Sequence, residues 1–273
     1  FNMLQFSVLL SLYYKESPLF LSQSLQSLFS QTFLPSEVIL VKDGPLNNDL
    51  ERVISEFQRQ YSLLKTISLP TNQGLGRALN EGLKHCSYEL VARMDTDDIA
   101  KSDRFQKQVE IFSQYPDVDV CSAWIDEFED KVTNVISTRK LPETHEEIAL
   151  YAKKRCPLNH PVVMFKKSAV IAAGGYLHFP LFEDYYLWVR MLMNGARFYN
   201  IQESLLYFRF SPDMFKRRGG WKYAMDETRF QRFLFKRQFI SFPELVKNVG
   251  VRFCVRLMSN SLRTFIYKKL LRK

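Results

Sequence analysis

The sequence has few cysteines and no pattern among them. Its 273 residues include only Cys86, Cys121, Cys156 and Cys254, which are widely separated and form no Cys-x-x-Cys pair. A structural zinc site or a disulfide framework needs cysteines at closer and more regular spacing. The sequence therefore argues against both, and isolated cysteines indicate a reducing compartment such as the cytoplasm.

The chain also lacks a long apolar run. No uninterrupted apolar stretch reaches the roughly 18 residues of a membrane span, and Phe1-Asn2-Met3 does not open a signal peptide. We therefore expect a soluble or peripheral protein. Hydrophobic residues make up 46% and charged residues 25% of the chain, which is typical of a globular protein with a sizeable buried core.

Negative charge is scarce at one end of the chain. From Lys216 onward there are 16 Lys and Arg against 3 Asp and Glu, a net +13, whereas residues 1–215 carry 22 against 26, a net −4. A segment this basic indicates an anionic partner, either nucleic acid or a membrane surface. We therefore divide the chain into a domain of residues 1–215 and a basic tail of residues 216–273.

Apolar and basic residues alternate at helical intervals in this tail. The pattern predicts one or two amphipathic helices lying on an anionic membrane. The alternative is a helix that packs on the domain and leaves a basic face to solvent. The apolar positions are Val249, Phe253, Leu257, Leu262, Phe265, Ile266, Leu270 and Leu271, and the basic ones are Arg252, Arg256, Arg263, Lys268, Lys269, Arg272 and Lys273.

Strands and helices alternate over residues 1–116. Four apolar runs of strand length are separated by segments of helical periodicity, and Ser17-Pro18 starts the first helix. This alternation predicts an α/β fold with a doubly wound, mostly parallel sheet of nucleotide-binding type. The predicted strands are Phe6–Leu12, Glu37–Val41, Leu64–Leu69 and Tyr88–Met94, and the later helices are Asp49–Tyr61, one opened by Asn72–Asn80, and Asp103–Tyr115.

The rhythm changes over residues 117–215. Two strands joined by Glu129-Asp130-Lys131 predict a hairpin, a small antiparallel extension of the same sheet. The predicted strands are Val118–Phe128, Val132–Lys140, Pro161–Phe165 and one or two within Phe198–Phe210, and the helices are Glu143–Lys154, Ser168–Ala173 and Phe182–Met193.

An acidic turn, Asp95-Thr96-Asp97-Asp98, follows the fourth predicted strand. Three carboxylates held this close repel one another unless a cation lies among them. Oxygen ligands on one turn suit a hard divalent ion such as Mg²⁺ or Mn²⁺, which shares its remaining sites with phosphates. The alternative is a helix N-cap, with Asp98 or Ser102 capping the helix from Asp103. A cap needs only one acid, and ligands gather at the carboxyl ends of strands.

Two further segments follow predicted strands. Asp43-Gly44 is either an ordinary turn or the place where Asp43 accepts a hydrogen bond from a nucleotide base. Gly74-Leu75-Gly76-Arg77 lacks the third glycine of a dinucleotide-binding loop, since Leu79 stands there. We interpret it as a helix start from which Arg77 either reaches a diphosphate or lies on the surface.

Acids also open the aromatic-rich helix predicted over Phe182–Met193. Glu183-Asp184 lies in its first turn, where acids interact favourably with the helix dipole. Asp184 is alternatively a general base that takes a proton from an attacking hydroxyl. Asn159-His160-Pro161 precedes a predicted strand, and its histidine is either structural or catalytic.

Taken in order, these segments resemble glycosyltransferase family 2. The resemblance rests on Asp43, Asn72-Gln73-Gly74 with Arg77 and Asn80, the Asp95–Asp98 turn and Glu183-Asp184, and it covers roughly residues 5–210. The most similar subgroup is the bacterial hexosyltransferases that build capsular, exopolysaccharide or O-antigen repeat units. The resemblance implies a GT-A fold, a nucleotide-sugar donor and inversion at the anomeric carbon, with residues 1–116 binding the nucleotide and residues 117–215 the acceptor.

The resemblance also implies roles for the donor-side residues. Asp43 holds the base, most simply uracil, and Asp95 contacts the ribose or the metal. Asp97 is the metal-diphosphate ligand, whereas the part played by Asp98 differs among members. The implied cofactor is Mn²⁺ or Mg²⁺, and the implied donor is a UDP-sugar.

On the acceptor side, Asp184 corresponds to the general base with Glu183 as its neighbour, and Asn159 and His160 line the acceptor. The Gln-x-x-Arg-Trp signature of processive members is absent, and Leu187-Trp188-Val189-Arg190 does not replace it. A single sugar added per encounter is therefore expected. The acceptor in such pathways is a lipid-diphosphate-linked glycan, which implies a cytoplasmic enzyme bound peripherally to the inner face of the plasma membrane through its basic tail.

Two other functions would each account for part of the sequence. A nucleic-acid-binding module that uses the basic tail predicts aromatic stacking and steep salt dependence, but it leaves the acidic turn unexplained. A sugar-nucleotide pyrophosphorylase requires an N-terminal glycine-rich loop, and Ser11–Glu16 contains no glycine. The glycosyltransferase hypothesis explains the acids, and it includes no nucleic-acid partner.

Overall fold

The computed structural model of the chain describes residues 4–210 and 220–257. These residues form nine strands, nine α-helices and one 3₁₀-helix. In chain order they are β1 (Phe6–Leu12), α1 (Pro18–Phe29), β2 (Glu37–Lys42), α2 (Asn48–Gln60), β3 (Leu64–Ser68), α3 (Leu75–His85), β4 (Leu90–Arg93), β5 (Ile99–Ala100), α4 (Arg104–Gln114), β6 (Val118–Phe128), β7 (Val135–Arg139), α5 (His145–Ala152), the 3₁₀-helix (His160–Val162), β8 (Met164–Lys166), α6 (Lys167–Ala172), α7 (Glu183–Met193), β9 (Arg197–Arg209), α8 (Trp221–Lys236) and α9 (Phe242–Leu257).

The strands of the described residues form one sheet in the order β3-β2-β1-β4-β8-β6-β9-β5, with β7 paired to β6. Strands β1 to β4 are parallel, because β1, β2 and β3 are each followed by a helix that crosses back over the sheet. Strand β8 is antiparallel to both β4 and β6, and β6 and β7 form the predicted hairpin. The predicted α/β fold with a mostly parallel sheet and an antiparallel extension is confirmed.

Helices cover both faces of the sheet. On β1, Val8 and Leu10 point to a core shared with α1, α2 and α4, whereas Leu9 points to a second core shared with α3, α6 and α7. Both sets are fully buried, which explains why the middle of β1, Val8-Leu9-Leu10, is apolar on both faces and does not alternate. The predicted start of α1 is confirmed, since Ser17 caps it with a 3.4 Å bond from Phe20 N–H and Pro18 takes the first position.

One predicted strand is wrong at its start. Residues His160–Val162 form the 3₁₀-helix, and the strand begins only at Met164. The carbonyl of Asn159 accepts the N–H of Val162 at 3.1 Å, which closes a tight turn where an extended chain was predicted. Farther on, the predicted one or two strands after Phe198 are a single strand, β9.

The first part of the basic tail packs on the domain. On α8, the Phe230 ring lies 5.2 Å from Phe182 and 4.7 Å from Tyr185, which flank the start of α7. No helix within residues 4–210 and 220–257 is both long enough and apolar enough to cross a lipid bilayer. The tail residues 216–219 and 258–273, and with them the predicted membrane positions from Leu262 to Lys273, lie outside the described residues. The domain boundary at residue 215 stays a prediction.

Helix α9 is held to α8 by a buried ion cluster. Glu227, with a side chain only 2% exposed, accepts hydrogen bonds from Arg252 and from Arg256, the latter at 2.8 Å. Asn248 of α9 donates to Gln231 at 2.9 Å. Two arginines predicted to face a lipid surface therefore face the protein interior, as in the packed-helix alternative.

Candidate active site

The acidic turn lies at the carboxyl end of β4, a central strand of the sheet. One carboxylate oxygen from each of Asp95, Asp97 and Asp98 lies within 4.8 Å of the others. Asp98 is fully buried, and Asp95 and Asp97 are partly buried. The three predicted metal-site acids are thus brought together.

Neighbouring elements hold the backbone of this turn. Ser24 of α1 donates to the Asp95 carbonyl at 2.9 Å. From β9, Arg209 donates its Nε–H to the Asp97 carbonyl and its backbone N–H to Asp98 Oδ1, both at 2.8 Å. The N-cap alternative is wrong, because α4 is preceded by Asp103, whose side chain makes no capping bond. Asp98 instead accepts the backbone N–H of Arg209 on β9.

The acids of the turn are short of positive charge. Burial, and then repulsion from Asp95 and Glu16, raises the pKa of Asp97 to about 7. Burial, Asp97 and Asp95 raise the pKa of Asp98 as well. The second oxygen of Asp98 has no hydrogen-bond partner among the described residues. A divalent cation fits this donor set, since it would relieve the repulsion and accept carboxylate oxygens as ligands.

Asp43 lies beneath the loop that starts α3. Its carboxylate accepts the backbone N–H of Gln73 at 2.6 Å and of Gly74 at 3.0 Å, and the residue is 3% exposed. Gly44 has φ +89°, and a Cβ there would lie 2.7 Å from a backbone nitrogen of this loop, so the close approach requires glycine. Arg77 is exposed on the first turn of α3.

A cavity of about 340 Å³ connects the acidic turn with the start of α7. Its wall contains four of the predicted site residues, Asp95, His160, Glu183 and Asp184. Asn159 is not part of this wall, because it is 1% exposed and donates to the Ala123 carbonyl at 2.8 Å. A larger cavity of about 610 Å³, between α1, β5 and the β6–β7 turn, contains none of the predicted site residues.

The two predicted acids of α7 have different surroundings. Asp184 Oδ2 lies 3.7 Å from the Cys156 thiol. Glu183 lies 3.3 Å from Nδ1 of His178, which is largely exposed. The helix start thus places one carboxylate against a half-buried thiol and one beside an exposed ring, and both line the cavity.

His160 is a neutral hydrogen-bonding group in the cavity wall. Its Nε2 lies 2.9 Å from the Tyr176 hydroxyl, and burial together with the nearby Arg93 charge lowers its pKa well below the usual value. Tyr176 is held by Asn80 of α3, which donates to its carbonyl at 2.7 Å and accepts its N–H at 2.8 Å. Asn80, one of the residues on which the family resemblance rests, therefore positions Tyr176 in the cavity wall.

Several residues of the site were missed in the sequence. Arg93, Tyr176, Glu127 and Arg139 line the cavity, and Arg93 forms an ion pair with Asp95. A usable signal existed only for Arg93, the one charged residue within the apolar segment Leu90–Met94. The others come from segments that are distant in sequence, and nothing in their local pattern marks them.

These features together define a glycosyltransferase of the GT-A fold. They are the mostly parallel α/β sheet, the three acids at the end of a central strand, and the cavity that connects those acids with a second carboxylate. Residues 7–172 match Glycosyl transferase family 2. The chain belongs to this family, which confirms the resemblance.

Known relatives agree with this assignment. The chain is 42% identical over 269 residues, 98% of its length and 97% of the relative's, to UDP-Gal:alpha-D-GlcNAc-diphosphoundecaprenol beta-1,3-galactosyltransferase of Escherichia coli. It is 37% identical over 264 residues, 97% of its length and 98% of the relative's, to amylovoran biosynthesis glycosyltransferase AmsE of Erwinia amylovora. The protein is accordingly a bacterial-type glycosyltransferase.

A solved structure shows the same fold. The mannosyltransferase PcManGT from Pyrobaculum calidifontis, in complex with GDP-Man and Mn²⁺, superposes with a TM-score of 0.63 at 17% identity. The match covers 91% of this chain and 69% of that chain. At this identity the likeness concerns the fold alone, and it confirms the GT-A architecture.

Proposed function

We propose that this glycosyltransferase moves a single sugar from a UDP-sugar to a hydroxyl of a lipid-diphosphate-linked glycan, with inversion at the anomeric carbon, in the synthesis of a bacterial surface polysaccharide. The Escherichia coli relative is named for a UDP-Gal donor and a diphosphoundecaprenol-linked acceptor. The observation that carries the proposal is that the wall of one cavity contains both Asp95 of the acidic turn and Asp184 of α7.

The donor side of the proposal rests on the acidic turn. Asp97, with Asp95 and Asp98 beside it, would hold Mn²⁺ or Mg²⁺, which when bound neutralises the charge on the departing nucleoside diphosphate. Asp43 keeps a second lone pair on each oxygen while it holds the Gln73–Gly74 backbone, so it can also accept a base N–H. Arg77, exposed at the start of α3, supplies a cation for the diphosphate.

On the acceptor side, Asp184 takes the proton from the attacking hydroxyl. A carboxylate in the same cavity as the donor acids, but on a different element, allows attack on the face opposite the leaving group. Glu183 and the neutral His160 line the acceptor part of the cavity, where they can hydrogen-bond to sugar hydroxyls. Asn159 contributes only indirectly, by fixing the segment that carries His160.

The experiment that tests this function is a transfer assay with purified protein, Mn²⁺ and a synthetic N-acetylglucosamine-diphosphate-lipid acceptor. UDP-galactose, UDP-glucose and UDP-N-acetylglucosamine are supplied in turn, and product is detected by mass spectrometry. We expect one added hexose, with NMR showing the anomeric configuration opposite to that in the donor. Retained configuration would refute inversion, and transfer that is unaffected by a chelator would refute the metal requirement.

We also propose that the tail brings the enzyme to the inner face of the plasma membrane, where a lipid-linked acceptor lies. Large apolar side chains of α9 are exposed, Phe242 by 62%, Val246 by 56% and Val251 by 59%, and Lys247 is exposed among them. Apolar side chains flanked by cations are suited to an anionic lipid surface. Nucleic acid is left out of the proposal because Arg252 and Arg256 are already paired with Glu227.

Vesicle co-sedimentation tests this membrane contact. The Val246→Asp, Val251→Asp double variant should lose binding to vesicles rich in phosphatidylglycerol, because it places acids at two exposed apolar positions of α9. Leu150→Asp, at a 63% exposed apolar position on α5, is the matched control and should bind as the unchanged protein does. Equal binding by the two variants would assign any membrane contact to another surface.

A further inference from the structure

Arg93 is a buried cation whose hydrogen bonds are incomplete. Its side chain is 2% exposed, and one terminal nitrogen pairs with Asp95. Nε and the other terminal nitrogen have no acceptor among the residues that the structure describes. A guanidinium carries five N–H donors, and buried donors without acceptors cost free energy. Nε and the second terminal nitrogen of Arg93 can therefore donate hydrogen bonds to oxygen atoms of a ligand.

The position of Arg93 limits which ligand this is. The residue lines the 340 Å³ cavity together with Asp95 and Asp184. Its backbone is fixed on both sides, since its N–H donates to the Val163 carbonyl at 2.9 Å and its carbonyl accepts from Arg104 at 2.6 Å. The side chain is thus anchored beside Asp95 in the wall of the cavity that also contains the proposed general base, and the transferred sugar would lie in this cavity.

We infer that Arg93 binds the transferred sugar itself, by donating from Nε and its free terminal nitrogen to hydroxyl oxygens of the donor hexose. The inference rests on the proposed function, and it adds a sugar-binding residue to the cavity. It also gives the ion pair with Asp95 a purpose, because that pair aligns the guanidinium from the side of the metal-binding acids.

The charges of the cavity favour a neutral sugar over a second phosphate as the occupant. The wall has more acids than cations, so it repels an anion that no metal ion covers. Sugar hydroxyls suit such a wall, because each can donate to a carboxylate and accept from a guanidinium. The acids are Asp95, Glu127, Glu183 and Asp184, and the cations are Arg93 and Arg139.

Calorimetric titration in the presence of Mn²⁺ tests the inference. UDP and the three UDP-hexoses named above are titrated into the unchanged protein and into Arg93→Met and Arg93→Lys variants. We expect Arg93→Met to weaken the tightest UDP-hexose about tenfold, the usual effect of losing a hydrogen bond to a charged group, and to leave UDP affinity within about twofold. The UDP-hexose affinity of Arg93→Lys should lie between those of the unchanged protein and Arg93→Met, since lysine keeps the charge but lacks the several N–H donors of the planar guanidinium.

Deoxy analogues of that donor locate the contact. Removing the hydroxyl that Arg93 holds should weaken binding to the unchanged protein and cause no further loss in Arg93→Met, which is the coupling expected of two groups in contact. Equal losses for UDP and the UDP-hexose, or a full deoxy effect in the variant, would show that Arg93 only aligns Asp95. If Arg93→Met melts below the assay temperature, the same cycle is run on Arg93→Lys.

The outcomes separate this inference from the proposed function. If the unchanged protein binds neither UDP nor any UDP-hexose, the nucleotide assignment fails and the Arg93 assignment fails with it. If it binds UDP but no hexose adds affinity, the nucleotide site stands and only the Arg93 assignment is refuted.

Discussion

Within the described residues, the ion cluster around Glu227 and the acidic turn Asp95–Asp98 both contain buried carboxylates, and they are built in opposite ways. At Glu227, burial raises the pKa, but hydrogen bonds and charge from Arg256 and Arg252 outweigh it, so the pKa is lowered. In the acidic turn, burial and neighbouring acids raise the pKa of Asp97 and of Asp98. The Glu227 carboxylate has both its arginine partners within the protein, whereas in the acidic turn only Asp95 has an ion-pair partner, Arg93, among the described residues.

This difference separates a structural site from a functional one. A buried acid with its partners in place stabilises the contact between two helices, and removing it leaves the partners uncompensated. Acids that repel one another weaken the fold, and their persistence at the edge of a cavity is expected of a site that binds a cation or substrate. We therefore expect the two clusters to respond differently to substitution, one through stability and the other through activity.

The largest expected effect is on activity, and it concerns Asp184, the proposed general base that lines the same cavity as the acidic turn. Asp184→Asn should lower kcat/KM by about 10²–10⁴-fold, the range typical of a lost general base, while UDP affinity and melting temperature stay close to those of the unchanged protein. The matched control is Glu146→Gln, another acid in the first turn of a helix, whose side chain is 72% exposed. Normal turnover by Asp184→Asn would place the base elsewhere.

On the structural side, Glu227→Gln should lower the free energy of unfolding by about 3–5 kcal/mol, because it leaves two arginines near a buried amide. Chemical denaturation measures this loss. At a temperature where the variant is folded, its UDP affinity should equal that of the unchanged protein. A variant that is stable but fails to bind UDP would mean that the α8–α9 cluster serves the active site.

The reverse behaviour is expected of Asp97→Asn. Its apo form should be at least as stable as the unchanged protein, because one member of a repelling group becomes neutral. Mn²⁺ at about 100 times its dissociation constant should stabilise the unchanged protein by about 2.7 kcal/mol and the variant far less. Thermal melts with and without Mn²⁺ measure both quantities, and equal stabilisation of the two proteins would remove Asp97 from the metal site.

The smallest expected effect is the change in folding stability at low pH. The folded-state pKa of Glu227 lies below its usual value of 4.5, so its stabilising contribution is present above that value and is lost as the pH falls through the folded-state pKa. The stability difference between the unchanged protein and Glu227→Gln should therefore shrink on acidification below about pH 4.5, by about 1.4 kcal/mol for each unit of pKa shift. A difference that stays constant down to pH 3 would contradict the buried ion cluster.

Local patterns in the sequence were enough to predict the framework of the molecule. The buried run Phe6–Leu12 and the helix start at Ser17-Pro18 depend on burial and on capping by nearby residues, so their bounds follow from the residues themselves. The same is true of the acidic turn, because three carboxylates within four residues are close wherever the chain places them.

Only the tertiary structure decided which distant residues share a wall. Arg93 and Asp184 line one cavity although they are 91 residues apart, and Asn159 is buried whereas its neighbour His160 lines the cavity. Arg256 is paired with Glu227, 29 residues away. A helix whose basic pattern predicts a membrane-facing surface therefore directs arginines toward the protein. The reason is physical: periodicity and capping act within a few residues, whereas the pairing of charges depends on which surfaces the fold brings into contact.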